Sequence, residues 1–236
     1  MEVIDGILLV DKPKGWTSFD VVAKVRNILR SEYRKTDPSI KNVKVGHTGT
    51  LDPSATGLLV LCIGKATKLV PQLIKHDKTY EVEMTLGASS STGDQEGEIK
   101  YESNPKIPSE EDLLGILNSF VGEQWQVPPA YSAIKIGGKR AYELARSGRE
   151  IKLEPRKCVV YKIKLDSYSY PKAKFTCEVS SGTYIRSLVK DIGKKLGTPA
   201  YMSELRRTSI DNLQLSYASD LEDINYEKIK LSINQK

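Results

Sequence analysis

Apolar residues recur along the chain with two different periods, and the shorter period predicts strands. Short apolar runs at 6–10 and 58–63 are typical of buried strands. From Lys78 to Leu86 apolar and polar residues alternate, which predicts a half-buried strand. The stretches 159–165 and 175–179 alternate in the same way. Strands are therefore the commonest predicted elements.

Helical spacing of apolar residues occurs in three further stretches. Thr17 and Ser109 each precede such a stretch and can cap it. The third stretch runs from Tyr184 to Leu196, has apolar residues at helical spacing and is followed by Gly197. The polar and basic residues 31–45 are predicted to form a loop. Helices interspersed among strands predict an α+β fold with a mixed, mostly antiparallel central sheet and flanking helices.

The composition is that of an ordinary globular protein and argues against several classes. No apolar run approaches the roughly 18 residues that a transmembrane helix needs. The segment from Met1 to Asp11 lacks the basic region of a signal peptide. The three cysteines are far apart and only two histidines are present, so neither a disulfide framework nor a metal centre is indicated. We therefore expect a cytoplasmic protein that uses no metal and no cofactor and binds no membrane.

Basic residues are concentrated in one part of the sequence. The chain has 36 Lys and Arg against 30 Asp and Glu, a net charge of +6. Residues 81–134 contain 2 basic and 10 acidic residues, whereas residues 135–164 contain 10 basic and 3 acidic ones. Clustered basic side chains favour binding to a phosphate backbone. A solvated lysine-rich surface has the same composition, so charge alone leaves both alternatives open.

The stretch 46–57, GHTGTLDPSATG, is the densest candidate for chemistry. Its three glycines and one proline predict a tight, irregular loop directly before the buried strand at 58–63. A loop on a rigid strand can hold a reactive side chain, and Asp52 is the candidate here. The alternative is an ordinary Asp-Pro turn with glycines needed only for the backbone.

Arg186 is a second candidate, because it lies in the first turn of a predicted helix. The helix dipole favours acidic rather than basic residues at that position. A basic residue there suggests a partner carboxylate or a phosphate, and the alternative is an exposed arginine with a buried stem. A third stretch, 127–140, combines Pro-Pro, Gly-Gly, a tyrosine and several basic residues, and could project from the body to grip a backbone.

Seven motifs together resemble one known family, the TruB family of tRNA pseudouridine synthases that act on the T loop. They occur in the family's order and cover roughly residues 5–209. The motifs are DKPKGWTS (11–18), GHTGTLDPSATGLL (46–59), KTYEVEMTLG (78–87), STGDQEG (91–97), VPPAYSAIK (127–135), SGTYIRSLVKDIG (181–193) and MSELRRT (202–208).

The resemblance implies a reaction and the residues that carry it. The uridine at position 55 of tRNA would become pseudouridine by glycosidic bond cleavage, base rotation and attachment through carbon. Asp52 would be the nucleophile, attacking either C1′ or C6. Arg186 would form a salt bridge to Asp52, and the Tyr80 hydroxyl would take part in proton transfer at C5.

The resemblance also implies contacts with the substrate. His47 would enter the T loop as the target base flips out, and Tyr184 and Leu205 would line the uracil pocket. Asp94 is a weaker candidate for a substrate contact. Residues 122–150 resemble a mobile insertion that closes on the T arm, with phosphate contacts from basic residues. These are Lys135, Lys139, Arg140, Arg146 and Arg149.

The predicted domain organisation departs from the family in one respect. Residues 1–209 would form the catalytic domain and 210–236 a short tail. Family members often continue into an RNA-binding domain of the PUA type, and the 28 residues after Thr208 are too few for a complete one. We expect the T arm of tRNA as the partner, and a monomer. The alternative to an enzyme is a non-catalytic tRNA-binding or folding chaperone on the same fold.

Overall fold

The structure is a computed structural model that describes residues 4–132, 134–147, 151 and 153–234. The predicted α+β class is confirmed, with a large, mostly antiparallel sheet and flanking helices. The described part of the chain contains fourteen strands: β1 (Gly6–Lys12), β2 (Val45–His47), β3 (Thr56–Ile63), β4 (Lys78–Leu86), β5 (Ala88–Ser90), β6 (Ile99–Tyr101), β7 (Gly122–Gln126), β8 (Lys135–Ile136), β9 (Lys139–Arg140), β10 (Arg156–Ser169), β11 (Lys172–Val179), β12 (Ala200–Ile210), β13 (Leu213–Gln214) and β14 (Ser219–Asp220).

The same described residues include six α-helices and three short 3₁₀ turns. The α-helices are α1 (Ser18–Thr36), α2 (Val70–Leu73), α3 (Glu110–Asn118), α4 (Ala141–Arg146), α5 (Ile185–Leu196) and α6 (Tyr226–Asn234). The 3₁₀ turns are Gly64–Leu69, Leu215–Tyr217 and Leu221–Asp223. None of the helices described is long and apolar enough to cross a membrane.

The chain divides into two compact units. The first is formed by Met1–Thr79 with Arg206–Lys236, and the second by Tyr80–Leu205. The chain returns from the second unit to the first between Leu205 and Arg206, close to the predicted boundary after residue 209. The extent of the catalytic domain stays a prediction.

In the first unit, β3 is the central strand. It pairs antiparallel with β1 along its whole length, from Gly6 opposite Ile63 to Lys12 opposite Gly57. The opposite edge of β3 pairs with β2 and with Arg206 and Arg207 of β12. Helix α1 covers this sheet with a continuous apolar stripe, because its residues at helical spacing are buried against those of β1 and β3. The buried stripe consists of Val21, Val22, Val25, Leu29 and Tyr33.

In the second unit, strands follow the order β12, β4, β11, β10, β7. Helix α3 packs on α5 and on β10. Helix α5 has the predicted amphipathic pattern, and it ends at Gly197, which adopts the left-handed conformation that favours glycine. The packing of α3 on both α5 and β10 holds α5 beside the strands of this unit.

Two predictions of local structure were partly wrong. Helix α1 continues to Thr36 and thus occupies the first part of the predicted loop 31–45. Burial of Tyr33, whose hydroxyl accepts a hydrogen bond from the Ile4 amide at 2.8 Å, explains the extension. The polar side of β4 is also covered at Glu83, which forms an ion pair with Lys172 at 2.6 Å.

The C-terminal residues after 210 belong to the first unit. Strand β14 pairs parallel with β1, opposite Val10 and Asp11. Helix α6 follows, and its Ile229 is buried in the same core as β1. The sequence predicted little more than one helix and a tail here. In the described residues of this segment the structure has one α-helix, α6, together with the short strands β13 and β14 and two 3₁₀ turns.

Candidate active site

Asp52 lies in the loop between β2 and β3, at a half-buried position. Its carbonyl accepts a hydrogen bond from the Ala55 amide at 3.1 Å, which closes a tight turn. The Asp-Pro turn expected from the sequence is therefore present, and the role of the Asp52 carboxylate stays a prediction. Throughout the following, "the Asp52 loop" means residues 48–55.

The DKPKGWTS segment holds the Asp52 loop on its C-terminal side. Lys12 is completely buried, and its ammonium group donates to the carbonyls of Pro13 (3.0 Å), Trp16 (2.7 Å) and Pro53 (3.4 Å). The Gly15 amide donates to the same Pro53 carbonyl at 2.8 Å. A buried charge is tolerated here because carbonyl oxygens solvate it.

Ser18 holds the loop on its N-terminal side. Its hydroxyl accepts from the Leu51 amide at 2.8 Å and donates to the Leu51 carbonyl at 3.1 Å. Ser18 is the first residue of α1, and a capping box between Thr17 and Asp20 fixes that helix start. Both neighbours of Asp52 are therefore bonded to one rigid segment.

Arg207 was missed as a site residue by the sequence prediction. It is buried in β12, and its guanidinium donates to the carbonyls of Leu58 (2.7 Å) and Gly49 (3.1 Å). Gly57 packs so closely on Arg207 that a Cβ there would overlap the Arg207 backbone. The LRRT motif contains Arg207, but the sequence does not indicate which backbone carbonyl an arginine will bond to.

Lys78 is a third buried cation beside the Asp52 loop, after Lys12 and Arg207. Its ammonium group donates to the carbonyls of Ile74 (3.1 Å) and His76 (2.5 Å). Burial, together with the nearby charge of Arg207, lowers the pKa of Lys78 to about 8. Lys78 begins β4 two residues before Tyr80, so this contact fixes the chain as it approaches that tyrosine.

His47, predicted to enter the T loop, ends β2 at a half-buried position. Its Nδ1 accepts a hydrogen bond from the Gly49 amide at 3.3 Å. A ring nitrogen that accepts carries no proton, so the neutral ring has its proton on Nε2. Its role toward RNA stays a prediction.

In the second unit, Arg186 is buried rather than exposed, which excludes the exposed-arginine alternative. One terminal nitrogen lies 3.4 Å from a carboxylate oxygen of Asp94 and donates to the Thr92 carbonyl at 3.2 Å. The other donates to the Tyr131 carbonyl at 2.8 Å. The sequence predicted a partner carboxylate for Arg186, and Asp94 is such a partner. The expected pair with Asp52 stays a prediction.

Asp94 is itself almost completely buried, in the loop between β5 and β6. Its second carboxylate oxygen accepts from the Thr92 hydroxyl (2.5 Å) and the Glu96 amide (3.0 Å). Both oxygens thus have protein partners, an arrangement that suits a residue positioning Arg186. Direct contact of Asp94 with the substrate stays a prediction.

Three further site residues lie in the second unit. Tyr80 is buried on β4, on the same face as Val82 and Met84. Tyr184 is the N-cap of α5, and its amide donates to the Gln126 side chain at 3.0 Å. Leu205 is half-buried on β12. The common uracil pocket that these residues would line stays a prediction.

The basic residues of the 122–150 insertion are described only in part. Lys135 pairs with Arg140 across the β8–β9 hairpin, which also contains Lys139. The side chains of these three residues and of Arg146 lie outside the described part of the structure, as does the whole of Arg149.

Among the described residues, neither a reactive thiol nor a cluster of metal-binding side chains forms a second candidate site. No group of three His, Cys, Asp or Glu side chains in the described ranges could hold a metal ion. The three cysteines are buried and form no disulfide with one another, and burial raises the pKa of the Cys177 thiol to about 12. A thiol with such a pKa is a poor nucleophile.

Comparison with known proteins identifies the class. Two family models match consecutive parts of the chain. The TruB family pseudouridylate synthase N-terminal domain matches residues 35–185, and the tRNA pseudouridylate synthase B C-terminal domain matches residues 186–232. The tRNA pseudouridine synthase B of Clostridium acetobutylicum is 47% identical over 230 residues, which cover 98% of this chain and 75% of the relative.

Solved structures show the same relationship. A Cbf5–Nop10–Gar1 complex matches with a TM-score of 0.69 and 31% identity, covering 92% of this chain and 53% of that one. An H/ACA RNP bound to a substrate RNA containing 2′-deoxyuridine matches with a TM-score of 0.65 and 30% identity, covering 92% and 51%. This chain thus spans about half the length of those proteins. The chain belongs to the TruB family of pseudouridylate synthases.

Proposed function

We propose that this chain isomerises the T-loop uridine at position 55 of tRNA to pseudouridine, with Asp52 as the nucleophile. The observation that carries the proposal is the anchoring of the Asp52 loop, whose residues on either side of Asp52 are both bonded to the segment from Lys12 to Ser18. A half-buried carboxylate held between two fixed neighbours is pre-organised to attack. Membership of the TruB family supports the same reaction.

The chemistry needs no external reactant. Asp52 adds to C1′ or C6 of the uridine and later leaves, so its carboxylate is regenerated. In the net reaction the N1–C1′ bond breaks and a C5–C1′ bond forms. The proton on C5 is lost, and one proton is gained at N1. Tyr80, buried on β4, is the proposed group for proton transfer at C5.

Arg186 is proposed to keep the Asp52 carboxylate ionised and oriented. A guanidinium close to a carboxylate lowers its pKa, and its planar fork fixes direction. Arg186 is itself held by Asp94 and by two carbonyls, so it has little freedom to turn away. An arginine fixed in this way would lose little entropy on pairing.

Two observations support tRNA as the substrate. The relatives that match nearly the whole chain are named tRNA pseudouridine synthase B. Residues 135–164 also carry the basic cluster that a phosphate backbone requires, with 10 basic against 3 acidic residues. Phosphate contacts would position the arm, and the shape of the loop and its unstacked bases would provide specificity.

Tritium release tests the proposal. An unmodified tRNA transcript labelled at C5 of uridine is incubated with the wild-type chain, without added metal or cofactor. We expect release by the wild type and a loss of about 10⁴-fold or more in Asp52→Asn. A transcript with cytidine at position 55 should release no tritium, and a carbodiimide-dependent reverse-transcription stop should map the product to that position.

Asp37→Asn is a matched control, since Asp37 precedes Pro38 in the only other Asp-Pro pair of the sequence and is exposed at the end of α1. It should leave the rate unchanged. Binding of tRNA without release by the wild type would contradict the proposal and favour the tRNA-binding chaperone. Release that persists in Asp52→Asn would exclude Asp52 as the nucleophile.

A further inference from the structure

Two large aromatic side chains are exposed at the rim of the Asp52 loop. Trp16 is 37% exposed and Phe19 is 65% exposed. Both lie in the DKPKGWTS segment or directly after it, and the contacts given above for that segment involve the backbone of Trp16, not its ring. Two large aromatic rings beside the Asp52 loop form an apolar surface that a ligand can cover.

Hydrogen bonds fix the position of the Trp16 backbone relative to the Asp52 loop. The Lys12 ammonium group donates both to the Trp16 carbonyl (2.7 Å) and to the Pro53 carbonyl (3.4 Å). The preceding residue, Gly15, donates its amide to Pro53 at 2.8 Å. A single buried ammonium group therefore links Trp16 to the residue that follows Asp52.

The surroundings of the ring have the chemistry of a nucleic-acid contact. The Lys24 ammonium lies over the Trp16 ring, 5.7 Å from its centroid, and also donates to the Leu221 carbonyl at 2.6 Å. Trp16 and Lys24 line an open groove along α1 with a volume of 670 Å³, together with Asp20 and Asn27. A cation beside an aromatic ring matches a base and its phosphate.

One group in the groove opposes an anion. The carboxylate of Asp20 is charged, since its hydrogen bonds from the Thr17 side chain and backbone lower its pKa. That carboxylate is already used in the capping box, where it accepts from the Thr17 hydroxyl at 2.6 Å. Helix α1 as a whole carries five basic and two acidic residues, so the local charge still favours RNA.

We propose that Trp16 is a stacking platform for an unpaired base of the RNA substrate next to the target uridine, and that Lys24 contacts the adjoining phosphate. This inference rests on the proposed function, because it needs RNA to reach Asp52. Flipping one uridine leaves its loop neighbours unstacked, and an aromatic ring replaces the lost stacking. Trp16 would thus stabilise the opened loop without touching the reacting atoms.

The chain's two tryptophans, Trp16 and Trp125, make the inference directly measurable. In an Asp52→Asn, Trp125→Phe protein, which binds but does not react, all tryptophan fluorescence comes from Trp16. We expect a T-arm hairpin to quench this fluorescence in a saturable way. A hairpin with the same stem and a short, uridine-free loop should bind more weakly and quench less.

Substitutions in the same background give the size of the contact. Trp16→Leu should raise the Kd for the T-arm hairpin roughly 5- to 100-fold, the usual range for one base stacked on an aromatic side chain. Trp16→Phe should recover most of that loss. Tyr101→Ala is the matched control, as it removes another exposed aromatic ring, 76% exposed on β6, and should leave the Kd unchanged.

Activity of otherwise wild-type enzyme separates stacking from a structural role of Trp16. Trp16→Leu should raise KM with little change in kcat, because the Asp52 loop stays bonded through the backbone. A fall in kcat with an unchanged Kd would show that Trp16 only braces the loop, and would overturn the inference. Tritium release by the wild type with unquenched Trp16 would overturn the inference alone. No release and no hairpin binding would overturn the proposed function and this inference together.

Discussion

Both regions that carry site residues have side chains bonded to backbone carbonyls, but the Arg186 region also contains a buried ion pair. Around Asp52, the side chains of Lys12, Ser18 and Arg207 all reach backbone groups, chiefly carbonyls. Around Arg186, a buried side-chain carboxylate, Asp94, takes part. Carbonyl acceptors are present whatever the loop's side chains are, whereas an ion pair depends on two particular residues. The anchors described for the Asp52 loop therefore do not depend on the loop's own side chains, whereas the Arg186 region should not tolerate loss of Asp94.

Among the variants that test this comparison, the largest effect is expected from Asp94→Asn in the ion-pair region. Arg186 would remain buried without the charge of Asp94, so the free energy of unfolding should fall by about 3 kcal/mol. Pseudouridine formation should slow by roughly 100-fold, because Arg186 loses its orientation. Urea denaturation and tritium release measure the two effects.

Glu83→Gln is the matched control for that change. Glu83 is a buried carboxylate in the same unit, paired with Lys172 and Lys174 instead of Arg186. Its loss should reduce stability while leaving the rate within about twofold. A similar rate loss in both variants would show that Asp94 acts only through stability, and the distinction between the two regions would fail.

The next largest effect is expected from Lys12→Met in the carbonyl-bonded region. Three carbonyls would lose a charged donor inside the protein, which should lower the free energy of unfolding by about 2 kcal/mol. Lys65→Met, at an exposed lysine of the same unit, should change it by less than about 0.5 kcal/mol. Equal stabilities of the two variants in urea denaturation would contradict the proposed anchoring.

A pH titration sharpens the comparison at Lys78. The pKa of Lys78 is about 8 in the folded protein and 10.5 when unfolded. Between these values the unfolded chain binds more protons, so stability relative to Lys78→Met should rise with pH, by at most about 1.4 kcal/mol per pH unit. Below pH 8 both states are charged and the difference should be constant.

The measurement is the free energy of unfolding of wild type and Lys78→Met at pH 7.5, 9 and 10.5. Lys75→Met, which removes an exposed lysine of the same turn, is measured alongside as the control for loss of a surface charge. A difference that falls with rising pH would show that the Lys78 ammonium is stabilised rather than destabilised by its surroundings.

The smallest effect is expected from Ser18→Ala. The Leu51 amide and carbonyl would both lose their partner, at a cost of about 1 kcal/mol. Hydrogen exchange at the Leu51 amide should accelerate, whereas Ser31→Ala, at an exposed position in the same helix, should not affect it. Unchanged exchange at Leu51 would mean that the loop has a different anchor on this side.

Elements with strong local patterns could be predicted from the sequence. Strand β4 has the predicted bounds, and α5 begins within one residue of its predicted start. The irregular loop around Asp52 was also predicted, because glycine and proline impose local backbone geometry. In each case the deciding information lies within a few residues.

Contacts between distant residues could not be predicted in this way. Arg207 bonds to Gly49, 158 residues away, and Arg186 pairs with Asp94, 92 positions earlier in the chain. Every residue has a carbonyl, so no residue type marks Gly49 as an acceptor. The length of α1 was underestimated for the same reason, since the partner of Tyr33 is Ile4, 29 residues earlier.

The setting of Lys12 has a consequence for chemical rescue. Three carbonyl oxygens surround its ammonium group at 2.7 to 3.4 Å, so the side chain acts as a tethered cation in an oxygen cage. Lys12→Ala would remove the side chain and leave space between these carbonyls for a small alkylammonium ion. Added ethylammonium should then bind to the same carbonyl oxygens and restore part of the lost free energy of unfolding.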